Sequence, residues 1–376
     1  MKTLGLYLHI PFCRSKCLYC DFCSFPHPKK EDADRYVEML CRDVAQNAQA
    51  CREHLVDTVY LGGGTPTILP VEQLERILDT VVRHYRIAKN AEITVECNPK
   101  TGSASLFSAL RAVGFNRISL GLQSTHTQEL RALGRGHTFE DFCRTYTEVR
   151  EAGFSNVSVD VMFGIPYQTR ESWRETLLHV CALAPEHVSA YGLIVEAGTP
   201  FERLSSRGEL KLPDEDQERE MYFECIEILR SHGFAQYEIS NFARTGYESR
   251  HNLKYWNCDE FLGFGPAAYS DFCGKRFGNS RDLAAYNKGQ SILTEQETPS
   301  ARERQNEYVM LRMRLTEGVS ASAFAARFGI SFEDCFGKRL APYIKDGFVR
   351  KREDTYFFTP RGMYVSNAIL SDVLEF

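Results

Sequence analysis

The stretch Leu8-His9-Ile10-Pro11-Phe12-Cys13-Arg14-Ser15-Lys16-Cys17-Leu18-Tyr19-Cys20-Asp21-Phe22-Cys23 sets three cysteines in a CxxxCxxC spacing directly after an apolar run. Thiolates are soft ligands. Three of them on one tight loop bind three irons of a cubane cluster and leave the fourth iron open to a substrate. CxxC pairs also hold zinc, for which Cys23 or His27 offers a fourth ligand, and many cytosolic cysteines are only buried small hydrophobes. Spacing alone leaves all three readings standing.

The spacing resembles that of the radical S-adenosylmethionine (SAM) superfamily. The resemblance implies a [4Fe-4S] cluster whose open iron is chelated by SAM, so that one electron cleaves the sulfonium bond to a deoxyadenosyl radical.

Outward from the cysteines, six apolar, β-rich runs follow one another at 4–10, 58–61, 92–97, 117–120, 156–163 and 187–193. Between them helical periodicity covers 32–50, 71–85, 103–113, 139–152 and 171–183. Such alternation predicts an α/β fold with a parallel sheet and right-handed crossovers, and six units predict a partial (βα)6 TIM-like barrel. Chemistry in such folds collects at the carboxyl ends of the strands. There the sequence sets the cysteine loop, Gly62-Gly63-Gly64-Thr65-Pro66, Glu96 with Asn98, Gln123-Ser124, Asp160 and the run from Gly192 to Ile194.

Past Gly198-Thr199-Pro200 the pattern changes. A long helix is predicted over 214–232, a short strand over 237–240 and a loop-rich tract to about 281. From 301 the chain reads as helical, with helices over 306–314, 321–328 and 338–346 leading into apolar pairs at 348–349 and 356–358, the order of a winged helix. The expected division is a core domain over 1–235, a middle α+β segment over 236–300 and a helical, winged-helix-like module over 301–376.

The chain has 376 residues and a net charge of −5, which removes any global electrostatic case for nucleic acid. The mixed end Asp372-Val373-Leu374-Glu375-Phe376 argues the same way for the winged-helix module. The apolar run before Pro11 is too short for a signal-peptide core, and no run approaches the roughly 18 apolar residues that span a bilayer. A cytoplasmic protein is expected, its thirteen cysteines mostly reduced thiols.

The glycine turn is expected to bring backbone close to a ligand and present N–H groups to it, with Thr65 adding a hydroxyl. Glu96 and Asp160 are the acids best placed to accept from ribose hydroxyls and an amino group, with Gln123 and Arg135 completing the clamp. Arg14 and Lys16 are cations beside the cluster loop, suited to raising a cluster's potential and to docking a flavodoxin-like electron donor.

Taken together, His9-Ile10-Pro11-Phe12-Cys13, the three cysteines, Gly62 to Pro66, Gly121-Leu122-Gln123-Ser124, Asp160 with Gly164-Ile165-Pro166, and Tyr237-Glu238-Ile239-Ser240-Asn241-Phe242-Ala243 resemble the HemN/HemW group of radical SAM proteins over nearly the whole chain. The resemblance implies cluster ligation by Cys13, Cys17 and Cys20. It also implies SAM contacts from Tyr7, Tyr19, Gly64, Thr65, Glu96, Gln123, Arg135, Asp160 and Ile194.

One branch of that group is coproporphyrinogen III dehydrogenase and the other a heme chaperone. Dehydrogenases carry a fourth cysteine where this chain has Phe22, have a longer segment ahead of the cluster, and lack the HNxxYW motif, present here as His251-Asn252-Leu253-Lys254-Tyr255-Trp256. The expectation is therefore a chaperone that binds heme through His251 and passes it to an acceptor such as a membrane respiratory enzyme, with no catalytic residue assigned and a homodimer as one assembly. A neutral imidazole suits heme iron, although a lone loop histidine is more often a hydrogen-bonded structural residue. The alternative is the oxidative decarboxylase.

Overall fold

The computed structural model describes residues 2–374; Met1, Glu375 and Phe376, and with them the last two positions of the mixed C-terminal end, lie outside the described residues. Six strands, β1 (Lys2–Ile10), β2 (His54–Gly63), β3 (Ile87–Cys97), β4 (Arg117–Gln123), β5 (Val157–Phe163) and β6 (His187–Gly192), pair in sequence order, every neighbour parallel. Each alternates in the same sense. In β1, Leu4, Leu6, Leu8 and Ile10 are fully buried in the apolar core, whereas Gly5, Tyr7 and His9 contact polar side chains on the sheet's other face.

Helices α1 (Lys30–Asn47), α2 (Val71–His84), α3 (Ala104–Val113), α4 (Phe139–Glu151) and α5 (Arg170–Leu183) form the crossovers, as their periodicity predicts. Their apolar stripes, among them Leu40, Leu74, Leu110, Phe142 and Trp173, complete the core. Thr138 and Thr169 start α4 and α5 with reciprocal caps, which fixes where each helix leaves its loop. A further helix, α6 (Glu215–Ser231), packs on α5, and the Trp173 indole donates to the Met221 carbonyl at 2.9 Å.

The sheet does not stop at six strands. Phe261–Phe264 adds parallel to the free edge of β1 and is followed by Tyr269–Phe272, Lys275–Asn279 and Leu293–Glu297, all antiparallel. On the far edge Asn241–Ala243 lies antiparallel to β6, with Ala235–Gln236 outside it. Two expectations are corrected here. Residues 237–240 are the turn between those two short strands, because Tyr237 and Glu238 are spent on contacts with His187 and Leu315. The tract to 281 is ordered, holding α7 (Arg250–Trp256) and four strands whose three to five residues are too few to carry a periodic signal.

The C-terminal module sets a three-stranded sheet of Val319–Ser320, Thr355–Phe358 and Val349–Arg352 against helices including Ala301–Arg312, Ala321–Phe328 and Lys338–Lys345. Phe324, Phe332 and Phe336 are fully buried at its centre. No helix of the described residues is long and apolar enough to cross a membrane.

Candidate functional site

At the carboxyl ends of β1 to β6 lies a cavity of about 640 Å³. Cys13, Cys17 and Cys20 line it, each half-buried, from the loop after β1. The Cys13 thiol sits 3.6 Å from the Thr65 hydroxyl, and burial raises the pKa of both Cys13 and Cys20. Cys23 is not on the cavity wall. Its thiol points at the Arg281 carbonyl, 3.8 Å away, and its own carbonyl pairs with His9 Nε2 at 2.7 Å. Of the two side chains offered as a fourth zinc ligand, only His27 remains on the wall. Arg281 clamps the loop from the middle segment, donating to both Asp21 oxygens at 3.1 and 2.9 Å.

The glycine turn works differently from expectation. Gly63 N donates to Glu96 Oε2 at 3.0 Å, Gly64 N to the Ile10 carbonyl at 2.9 Å and Thr65 N to the Phe12 carbonyl at 2.7 Å. Those three N–H groups are therefore committed inside the protein. Glycine is required at position 64 because a Cβ would stand 2.6 Å from the Ile10 and Phe12 carbonyl oxygens. The turn thus brings the cysteine loop and the second strand into contact, with these three N–H groups used within the protein.

Glu96 lines the cavity with Oε1 accepting from the Tyr60 hydroxyl at 2.7 Å. Burial pushes its carboxyl up to about 7, partly offset by the Tyr60 bond and reinforced by the nearby Asp160. Asp160, raised by burial, accepts from Ser119 at 3.1 Å. Arg135 donates to the Tyr19 hydroxyl at 3.0 Å and to Asn98 Oδ1 at 2.5 Å, while its buried Nε has no partner. Asn98 in turn donates to Thr65 at 2.7 Å. Gln123, in the left-handed region at φ 70°, also lines the wall.

Tyr19, Gly64, Thr65, Glu96, Gln123, Arg135 and Asp160 thus meet around one space with the three cysteines. Two expected members do not. Tyr7 is not on the cavity wall, its hydroxyl being 3.0 Å from His9 Nδ1, and Ile194 is 69% exposed, off the wall, because the chain has already left β6. Asn98, Met162 and Tyr191 line the cavity and were not among the expected contacts. Inward alternation would have found the last two, since Met162 lies two residues beyond Asp160 and Tyr191 two beyond Ser189.

His251 is elsewhere. It is 1% exposed inside the barrel, with Nδ1 2.8 Å from the Thr58 hydroxyl and Nε2 2.8 Å from the Tyr255 hydroxyl. Burial, with Lys254 and Arg117 nearby, pushes its imidazole down to about 3, so it is neutral. Both ring nitrogens are engaged, and neither faces the cavity or solvent.

The Radical SAM superfamily model matches residues 7–180, and the HemN C-terminal domain model matches residues 300–365. A heme chaperone HemW from Bacillus subtilis (strain 168) is 34% identical over 374 residues, covering 98% of both chains. The chain belongs to the HemW family of radical SAM proteins. Another HemW relative, the heme chaperone of Escherichia coli (strain K12), is 32% identical, again over 98% of both chains. The solved coproporphyrinogen III oxidase HemN of Escherichia coli superposes with a TM-score of 0.86 over 99% of this chain and 90% of that one. At 24% identity it shows that the HemW-family chain shares HemN's fold, barrel and C-terminal module together.

Proposed function

We propose that the protein is a cytoplasmic heme chaperone, binding heme and passing it to an acceptor protein. What carries the proposal is the likeness over 98% of both chains to proteins named as heme chaperones. The intact His251-to-Trp256 tract and the exposed Phe22 in place of a fourth thiol support it.

Cys13, Cys17 and Cys20 are the residues to hold a [4Fe-4S] cluster, and the donor set fits: three thiols on one cavity wall, with Cys23 turned away. The wall fits SAM as well. Its carboxylates at Glu96 and Asp160 accept from an amino group and from ribose hydroxyls, and the unpartnered Arg135 Nε is a buried donor beside them. The cluster, when bound, supplies one-electron reduction of SAM. The chain's own part is to seat the ligand and keep water from it.

Heme is the cargo. Ligation by His251 requires the imidazole to give up its bond to Tyr255 or to Thr58, since both ring nitrogens are hydrogen-bonded. The test is heme titration of anaerobically reconstituted protein followed by absorbance, comparing the parent with His251→Ala. Saturable binding of about one heme, with the axial signature lost in the variant, supports the proposal. Consumption of coproporphyrinogen with release of carbon dioxide, and no saturable heme binding, would replace it with the decarboxylase.

A further inference from the structure

Helix α7 plugs the amino-terminal end of the barrel, and its side chains reach the cavity through one intermediate. Glu92, on β3, accepts from the first free N–H groups of the helix, Arg250 N and His251 N, both at 3.1 Å. Lys254, 4% exposed, pairs with Asp57 at 2.8 Å. From β2, Thr58 holds His251 Nδ1, and two residues further the Tyr60 ring stacks on the imidazole, centroids 5.2 Å apart and planes 27° from parallel. The Tyr60 hydroxyl then donates to Glu96 Oε1.

Two glycines on neighbouring strands record the same path. A Cβ at Gly5 would stand 2.8 Å from Lys254 Cδ, 3.0 Å from Thr58 Oγ1 and 3.4 Å from His251 Cε1. A Cβ at Gly62 would stand 2.6 Å from the Tyr60 ring and 2.9 Å from the Glu96 carboxylate. Only a side chain without Cβ leaves room for the helix at one end and for the Tyr60–Glu96 pair at the other. The residues are spaced by the strand period of two, so Glu92 and Glu96 project from one face of β3, as Thr58 and Tyr60 do from β2.

We propose that His251 is a positioning residue for the cofactor cavity: its ring holds Tyr60, and Tyr60 holds the Glu96 carboxylate at the place where SAM's amino group is received. This rests on the assignment of the cavity to SAM, and it gives the HNxxYW tract work at that site whether or not the imidazole also meets heme. A carboxylate fixed by two donors, Tyr60 and Gly63 N, presents one geometry to a ligand; freed from Tyr60 it samples several, and the ordering cost then falls on binding.

The test is equilibrium dialysis of labelled SAM against anaerobically reconstituted full-length protein, at matched iron content, beside a heme titration of the same samples. Tyr60→Phe, which removes one hydroxyl, and His251→Ala are each expected to weaken SAM binding about tenfold. His251→Phe keeps a flat ring on Tyr60 and recovers most of the loss. A packing role alone would lower the thermal midpoint of His251→Ala without changing SAM affinity in the folded protein. Parent-like SAM binding by Tyr60→Phe overturns the proposal even where His251→Ala does not fold, and does so whatever the heme titration reads. Absence of heme binding by the parent sinks the chaperone function and leaves the positioning role standing.

Discussion

At the carboxyl ends of the six barrel strands the polar side chains face a cavity, whereas near the amino ends the same strands turn theirs on one another and on a helix. Arg135 keeps an unpartnered Nε at the cavity, and Glu96 is held uncharged by burial up to about pH 7. Below, His187 sits between Ser158 and Tyr237, each 2.8 Å away, and Lys254 answers Asp57. One end is prepared for a ligand and the other is closed by its own chain. The difference teaches where substitutions should touch cofactor binding and where they should touch stability.

The largest contrast is expected from the cysteines. Replacing any one of Cys13, Cys17 or Cys20 with Ala should reduce iron in anaerobically reconstituted protein to background, with little change in the urea midpoint of the metal-free chain. Retained stoichiometric iron in all three variants would dissolve the contrast at its upper end. At the closed end, Lys254→Met takes from the half-buried Asp57 its 2.8 Å partner and leaves it Arg250 at 3.9 Å, and should cost about 1–3 kcal/mol in denaturant unfolding. A loss below about 1 kcal/mol would rank that pair with surface ion pairs.

Gly64→Ala forces a Cβ against two carbonyl oxygens and should cost about 1–3 kcal/mol, read as a lower thermal midpoint. Next comes Glu96, whose folded pKa of about 7 lies above its ordinary 4.5. In the free protein the protonated form is the favoured one, so its contribution is most stabilising below pH 4.5 and is lost as pH rises through about 7. A ligand ammonium favours the carboxylate, so SAM affinity should fall by about tenfold per unit as pH drops below about 7. A flat affinity profile there would remove Glu96 from the ligand's contacts. The smallest effect is expected from Arg281→Ala, whose partner Asp21 is 44% exposed: under about 1 kcal/mol in stability, seen instead as faster proteolysis of the cysteine loop.

The barrel was legible because its strands are long, apolar and separated by periodic helices, so that β5 and β6 begin and end within a residue of expectation. What failed was short. Phe261–Phe264 and Asn241–Ala243 are strands because a sheet edge is there to receive them, and nothing local in three or four residues says so. At the site, position after a strand end singled out Gly64, Thr65, Glu96, Gln123 and Asp160, which all line the cavity, whereas the full set of SAM contacts is what the resemblance implies. Tyr7, an inward residue of β1, and Ile194, past the end of β6, are implied by the resemblance and lie off the wall. Nor did sequence disclose the depth of His251, since an imidazole held by Thr58 and Tyr255 requires knowing that α7 folds back under β1 and β2.

Because β1 pairs on one side with β2 and on the other with Phe261–Phe264, its second neighbour is synthesised long after the cysteines it leads into. At roughly 5–20 residues per second, the interval is on the order of tens of seconds. For that time the nascent chain carries Cys13, Cys17 and Cys20 beside a first strand with one open edge, and the end of the barrel that α7 closes stays open. The order of synthesis therefore leaves the sheet open beside the cysteine loop until residues 261–264 have been made.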